Sequence, residues 1–267
     1  MRSEIRQTLR KSVPAIAAVL IATGCGGGDN GAGSETKGKV PRTLDVGSEI
    51  PYAPFEFGRP PYRGFDVDVV NEIANRLGTR ARFVNTPFNT ILRDLAQRRF
   101  DMVAAGTVIS DKASFSDPYL PADLAVMVKR GSDIASPDDL KDKTVGAQRG
   151  SAGAAYARNE ASARFVRTYA LIDDAYNALA AGQVDAVIHE YPVTRFAQRS
   201  HPNLAVVATI ATDQDYGFAF PEDSTLRVRV NGVLDRIKSD GTYARIYRKW
   251  FRAPPPDGFA RSSSNGN

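Results

Sequence analysis

The sequence predicts an α/β fold, and three observations predict it. Short apolar, β-branched runs alternate with segments of helical periodicity through the middle of the chain. The first of these, residues 43–105, read βαβαβ, enough for one lobe of parallel sheet. A content of 42% hydrophobic and 24% charged residues is that of a globular protein, and it argues against a disordered chain or a collagen. A length of 267 residues allows one large or two small domains and excludes a long repeat array.

Thr43 to Val46 is the first strand. Val70, Ile73, Ala74 and Leu77 then recur at helical spacing from Asp66 and stop at Gly78, a residue that tolerates the left-handed geometry of a helix end. Ala81 to Val84 is a strand, Phe88, Ile91, Leu92 and Leu95 mark a second helix, and Phe100 to Ala105 is a buried strand entering a small-residue turn. Leu124 to Lys129 is a further strand. Ser136-Pro137 opens a short helix by cap and N1 proline. Thr144 to Ala147 is a strand, Ala152 to Ala163 a helix, and a helix capped by Asp173 ends at Gly182 before the strand Ala186 to Ile188. Tyr216 to Phe220 is the last strand. Two helices close the chain, one with the stripe Leu226, Val230, Val233, Leu234 and Ile237, the other with Tyr243, Ile246, Tyr247, Trp250 and Phe251, whose aromatics read as a packing face.

The ends carry a different message. Arg2, Arg6, Arg10 and Lys11 precede an apolar run from Val13 to Thr23, the pattern of an export signal over residues 1–24, too short to span a bilayer comfortably. Ala22-Thr23-Gly24-Cys25 resembles a bacterial lipobox, with Ala22 where Leu is more usual, and implies that the Cys25 thiol receives diacylglycerol and palmitate. Residues 25–41 then read as a Gly/Ser-rich tether and 254–267 as a disordered tail. Residues 1–24 carry four basic side chains and Glu4, a net +3, so the formal charge falls from +5 to +2 without them. That excess is too small to indicate a polyanion. Arg76, Arg80, Arg82, Arg93, Arg98 and Arg99 punctuate amphipathic elements and read as solvated faces, so no nucleic-acid partner is expected. One cysteine and two histidines, His189 and His201, leave no disulfide, no Cys-rich zinc site and no HExxH pair, and no metal or other cofactor is expected.

The order of segments resembles the family 3 extracellular solute-binding proteins, the amino-acid receptors of bacterial ABC importers. The landmarks are Val46-Gly47-Ser48-Glu49 with Tyr52-Ala53-Pro54-Phe55-Glu56-Phe57, then Gly64-Phe65-Asp66-Val67-Asp68, and Phe100-Asp101-Met102-Val103-Ala104-Ala105-Gly106. Phe115-Ser116-Asp117-Pro118-Tyr119, Asp139-Leu140-Lys141, Gly182-Gln183-Val184-Asp185-Ala186-Val187-Ile188, Asp240-Gly241-Thr242-Tyr243 and Lys249-Trp250-Phe251 follow in order. The resemblance implies a two-lobed periplasmic-binding-protein type II fold with a two-strand hinge, near Ala125–Lys129 and Asp215–Phe220, closing over a ligand cleft. It divides the chain into lobe 1, residues 42–130 with 213–253, and lobe 2, residues 131–212. A ligand favours the closed state only if it touches both lobes.

Carried over residue by residue, the resemblance implies that Tyr52 and Phe88 sandwich the solute and that Ala105 and Gly106 offer backbone groups. Glu49 is either the partner of a distal cationic or polar group or a solvated rim carboxylate. Ser151 opens a helix whose free amides suit an anion, and Glu190 stands where the family places an Asp that accepts the ligand ammonium. Asp213 enters the return strand beside the same cleft. One segment departs from the family. Ile109-Ser110-Asp111-Lys112-Ala113-Ser114-Phe115 is shorter than the family's pattern, and Ala113 stands in place of the Arg that grips an α-carboxylate in a bidentate bond Lys cannot copy. Arg149 is either a replacement for that Arg or a solvated side chain. The implied function is a lipid-anchored, monomeric binding subunit, not an enzyme, on the outer face of the cell membrane or in the periplasm. It would work with ABC permease subunits on an amino acid or a related polar amine. A cyclohexadienyl or arogenate dehydratase-like enzyme and a solute sensor are the alternatives on the same fold.

Overall fold

A computed structural model describes residues 40–259. The expected export signal, Cys25 and nearly all of the tether lie outside the described residues.

The first sheet is built from β1 (Thr43–Ser48), β2 (Arg80–Asn85), β3 (Met102–Val103) and β4 (Ser114–Phe115), with α1 (Phe65–Arg76) and α2 (Phe88–Ala96) between them. A short β5 (Leu120–Pro121) leads away from it. The second sheet takes β6 (Leu124–Lys129), β7 (Thr144–Gln148), β8 (Phe165–Tyr169), β9 (Ala186–Glu190) and β10 (Leu204–Ile210), with α3 (Ala152–Asn159), α4 (Ile172–Ala180) and α5 (Tyr191–Ala197). The chain returns through β11 (Asp215–Tyr216) and β12 (Ala219–Phe220) and finishes with α6 (Leu226–Ser239) and α7 (Thr242–Phe251). Strand order is β2-β1-β3-β12-β4 in one sheet and β10-β6-β9-β7-β8 in the other, and β5 pairs antiparallel with β11 between them.

The pairing moves the lobe boundary. β6 runs antiparallel to both β10 and β9, so residues 124–129, expected in lobe 1 and at the hinge, belong to the second sheet. The outgoing connection is β5. The return strand expected over Tyr216 to Phe220 is two pieces, since β11 pairs with the crossing strand and β12 with the first sheet. α4 is preceded by Leu171, without a side-chain cap, and Asp173 sits inside its first turn. α3 stops at Asn159 rather than Ala163, and Ser162 turns left-handed just beyond it. Residues 254–259 are not free of the body: Phe259 packs on the core. At the other end, Thr79 Oγ1 donates to the Pro41 carbonyl at 2.6 Å, so the folded body includes Pro41.

One apolar core is continuous across the link. It runs from Leu44, Val46 and Phe65 through Leu120, Ala122 and Met127 to Tyr176 and Val187. Burial on this scale gives roughly 25 cal/mol per Å2 of apolar surface and dominates the cohesion of each lobe. The aromatics of α7 are spent here: Tyr243 and Phe251 meet Phe65 with ring centroids 5.9 and 5.1 Å apart. Lys249 Nζ and Trp250 Nε1 both donate to Asp68 on α1, at 2.6 and 2.7 Å. No helix among the described residues is long and apolar enough to cross a membrane.

α3 sits close on β9 because Gly153 has no side chain; a Cβ there would lie 2.4 Å from the Ile188 carbonyl oxygen. The obstacle is backbone, so it cannot rotate away. Gly153→Ala is expected to lower unfolding stability by about 1–3 kcal/mol, measured by urea denaturation; an unchanged midpoint would contradict this packing.

Candidate functional site

A cleft of about 410 Å3 lies between the lobes, lined by Phe88 and Asn89 of α2, Thr107 to Ser110 and Lys112 after β3, Gly150 to Ala152 after β7, Glu190 of β9, and Gln214. Such a position, at the ends of strands from two sheets, is where α/β proteins usually take ligands. A larger groove of about 590 Å3 lies between α5 and α7. No buried titratable side chain lines it, whereas the smaller cleft reaches Glu190, only 2% exposed.

Glu190 is the last residue of β9 and the residue from which α5 starts. Thr194 Oγ1 donates to its carbonyl at 2.9 Å and is itself bonded to the Tyr176 hydroxyl at 3.0 Å, which fixes that corner. Burial pushes the Glu190 carboxyl up, but His189 beside it, with Nδ1 2.7 Å from Oε2, outweighs this and holds the carboxyl below its ordinary value. An ionised carboxylate in a low-dielectric wall attracts a cation more strongly than one in water.

The other expected residues fall into two groups. Phe88 and Ser151 line the cleft, but the Ser151 hydroxyl is already occupied, accepting from the Ala154 amide at 3.2 Å and donating to the Gln148 carbonyl at 3.0 Å. It caps α3. Tyr52, Glu49, Ala105 and Gly106 are buried outside the cleft lining. The Tyr52 ring stacks on Phe55 at 5.6 Å and meets the His189 edge at 5.8 Å, with its hydroxyl 3.4 Å from Glu190 Oε2. It therefore backs Glu190 rather than pairing with Phe88 around a solute. Gly106, at φ 51°, lets the Tyr52 ring approach; a Cβ would lie 2.9 Å from it. Two residues lie elsewhere. Arg149 is exposed in the turn just after β7, its amide donating to the Tyr169 carbonyl, while Gln148 at the end of the strand is buried. Asp213 is exposed, with φ 50°, and lines a neighbouring groove of about 280 Å3.

Sequence reasoning missed Gln148 and Thr107. Gln148 Nε2 donates to Glu49 Oε2 at 2.6 Å across the two lobes. A polar residue ending the buried run Val145-Gly146-Ala147 was the available signal. Thr107 Oγ1 is buried with no hydrogen-bond partner and lines the cleft, a polar group available to a solute. The shortened segment has a clear form: Ile109 N donates to the Asp215 carbonyl at 2.9 Å, Ala113 packs with the cluster of Ile91, Leu95 and Phe115, and Lys112 stands exposed at the cleft rim. Ala113 itself brings no guanidinium, and the arginine that lines this cleft is Arg93 of α2.

The sequence matches the model of the bacterial extracellular solute-binding proteins, family 3, over residues 44–253. The chain belongs to this family. An arginine-binding periplasmic protein of Mannheimia haemolytica is 30% identical over 214 residues, 76% of this chain and 88% of that protein. An ancestral arginine-binding protein, solved bound to arginine, superposes with a TM-score of 0.75 at 34% identity, covering 79% of this chain and 99% of the other. An ancestral amino-acid-binding protein that is a precursor of cyclohexadienyl dehydratase gives 0.72 at 32% identity, over 79% and 95%. The two-lobed fold expected from the resemblance is the fold of this family.

Behind the cleft of this family member lies a second pair of buried acids. Both Glu56 oxygens are without a hydrogen-bond partner, while Asp66 Oδ2 accepts from the Tyr119 hydroxyl at 2.9 Å. Burial, then repulsion from Asp66, pushes Glu56 well up; burial pushes Asp66 up to about 7 against the Tyr119 bond. Raised carboxyls bind protons that the unfolded chain has released. The stability Asp66 contributes is therefore complete below its ordinary value of 3.8 and is lost as pH rises to about 7. Stability should fall across that window by up to about 1.4 kcal/mol per pH unit relative to Asp66→Asn, followed by urea denaturation at each pH; parallel profiles would refute the assignment.

Proposed function

We propose that the chain is the substrate-binding subunit of an ABC importer that encloses an amine-bearing solute, an amino acid or a related polar amine, between its lobes. The observation that carries this reading is Glu190: a buried, ionised carboxylate in the cleft wall, with no lysine or arginine buried among the described residues. An ammonium in the cleft would be a second cationic partner for it, beside His189. The amino-acid specificities in the relatives' names support an amine, and Ala113 argues against the usual grip on an α-carboxylate. The α3 N-terminus and Lys112 remain as weaker partners for a polar or anionic group opposite the amine.

A dehydratase on this fold would need a carboxylic acid ready to give up a proton. His189 holds Glu190 ionised, which suits an anchor and not a general acid. Export follows from the amino-terminal signal and from the periplasmic relatives. Anchoring through a lipid on Cys25 is the reading of the lipobox-like sequence.

A thermal-shift screen of amino acids, polyamines and quaternary amines identifies the solute class by mass-action stabilisation. By calorimetry, Glu190→Gln should weaken the best amine about tenfold or more, the worth of one charge-assisted bond. Lys112→Ala should cost less, and Arg149→Ala and Asp213→Asn almost nothing. Equal affinities for Glu190→Gln and the parent would remove the anchor. Separately, Cys25→Ser should abolish labelling by radioactive palmitate and release the protein from the membrane fraction; retained label would place the lipid elsewhere.

A further inference from the structure

Glu49 lies outside the cleft lining, and Gln148 holds it there from the opposite lobe. Glu49 is 2% exposed and both of its oxygens are engaged. Oε1 lies 3.4 Å from the Phe88 amide at the start of α2, and Oε2 takes Gln148 Nε2 at 2.6 Å. Gln148 is 1% exposed and its amide nitrogen is held from the other side by the Ala170 carbonyl at 3.4 Å. The amide is thus clamped between the lobes at the end of β7. It occupies a carboxylate oxygen without neutralising it, because an amide brings a hydrogen but no charge.

Resting on the amine-receptor reading above, we propose that Gln148 sets how many cationic groups the solute can carry. With Glu49 capped, one ammonium is met by Glu190 and a second finds no free carboxylate in the inner wall. A solute with two cationic arms would have to displace the amide. It would then forfeit a charge-assisted bond that also ties the lobes together, so the second charge gains little. Shortening residue 148 inverts this balance. It leaves an unpaired buried carboxylate beside empty volume, an arrangement a second ammonium satisfies.

The probes are n-butylamine, 1,4-diaminobutane and 1,5-diaminopentane, titrated calorimetrically into the exported protein and its variants. In the parent protein the diamines should bind within about threefold of the monoamine. In Gln148→Ala the better diamine should exceed the monoamine about tenfold or more, a charge-assisted bond's worth, and in Gln148→Ala/Glu49→Gln the preference should disappear. Gln148→Asn, which retracts the amide by one methylene, should move the ratio the same way and serves if the alanine variant does not fold. An unchanged ratio in a folded variant that still binds the monoamine overturns the role of Gln148 and leaves the receptor reading intact. Failure of the parent protein to bind any of the three amines overturns the role of Gln148, and failure in the screen of amino acids, polyamines and quaternary amines as well overturns the receptor reading.

Discussion

Three carboxylates, Glu190, Glu49 and Glu56, are withdrawn from water around Tyr52 and Asp66 lies beside Glu56, with no buried lysine or arginine among the described residues. Isolated buried charge is costly, so each must be neutralised, bonded or matched by a guest. The molecule uses all three solutions. Burial pushes Asp66 and Glu56 up so that they hold protons to higher pH, Glu49 is bonded by an amide from the opposite lobe, and Glu190 is held below its ordinary value next to His189. Only the last borders the cleft. The surrounding architecture, two sheets whose strand ends point at one seam, is what brings acids distant in sequence into this division of labour.

Much of the fold was legible in the sequence because helical and strand periodicities are local. α1, α2, α6 and α7 each present an apolar stripe, and Gly78 ends the first where a positive φ is needed. β8, β10 and α5 were not legible: β8 has no buried residue and β10 only Leu204, and α5 is a seven-residue helix with arginine and proline in it. The sheet to which β6 belongs is decided by partners about 60–80 residues away, β9 and β10, which no local pattern encodes.

The candidate site was legible in part, for a related reason. The resemblance named Glu190 and Phe88, which line the cleft, and the missing Arg near Ala113 shows as a gap in a known order. Whether a side chain lines a cleft or stands behind it depends on what packs between, as Tyr52 and Glu49 illustrate. Arg149 and Gln148 are neighbours with opposite fates, since Gln148 ends the buried strand β7 and Arg149 begins the exposed turn that follows it. A charge turned to solvent, however attractive chemically, is out of reach.

The chain enters the first lobe at Pro41 and leaves it beyond α7, so the second lobe is an excursion that departs through β5 and returns through β11. This arrangement has a mechanical consequence. A pull applied between the two ends of the described chain is borne by Thr79, α1 and α7, along a path that never crosses the seam. Both ends of the described chain thus leave from the first lobe, so a tether at either end would hold that lobe.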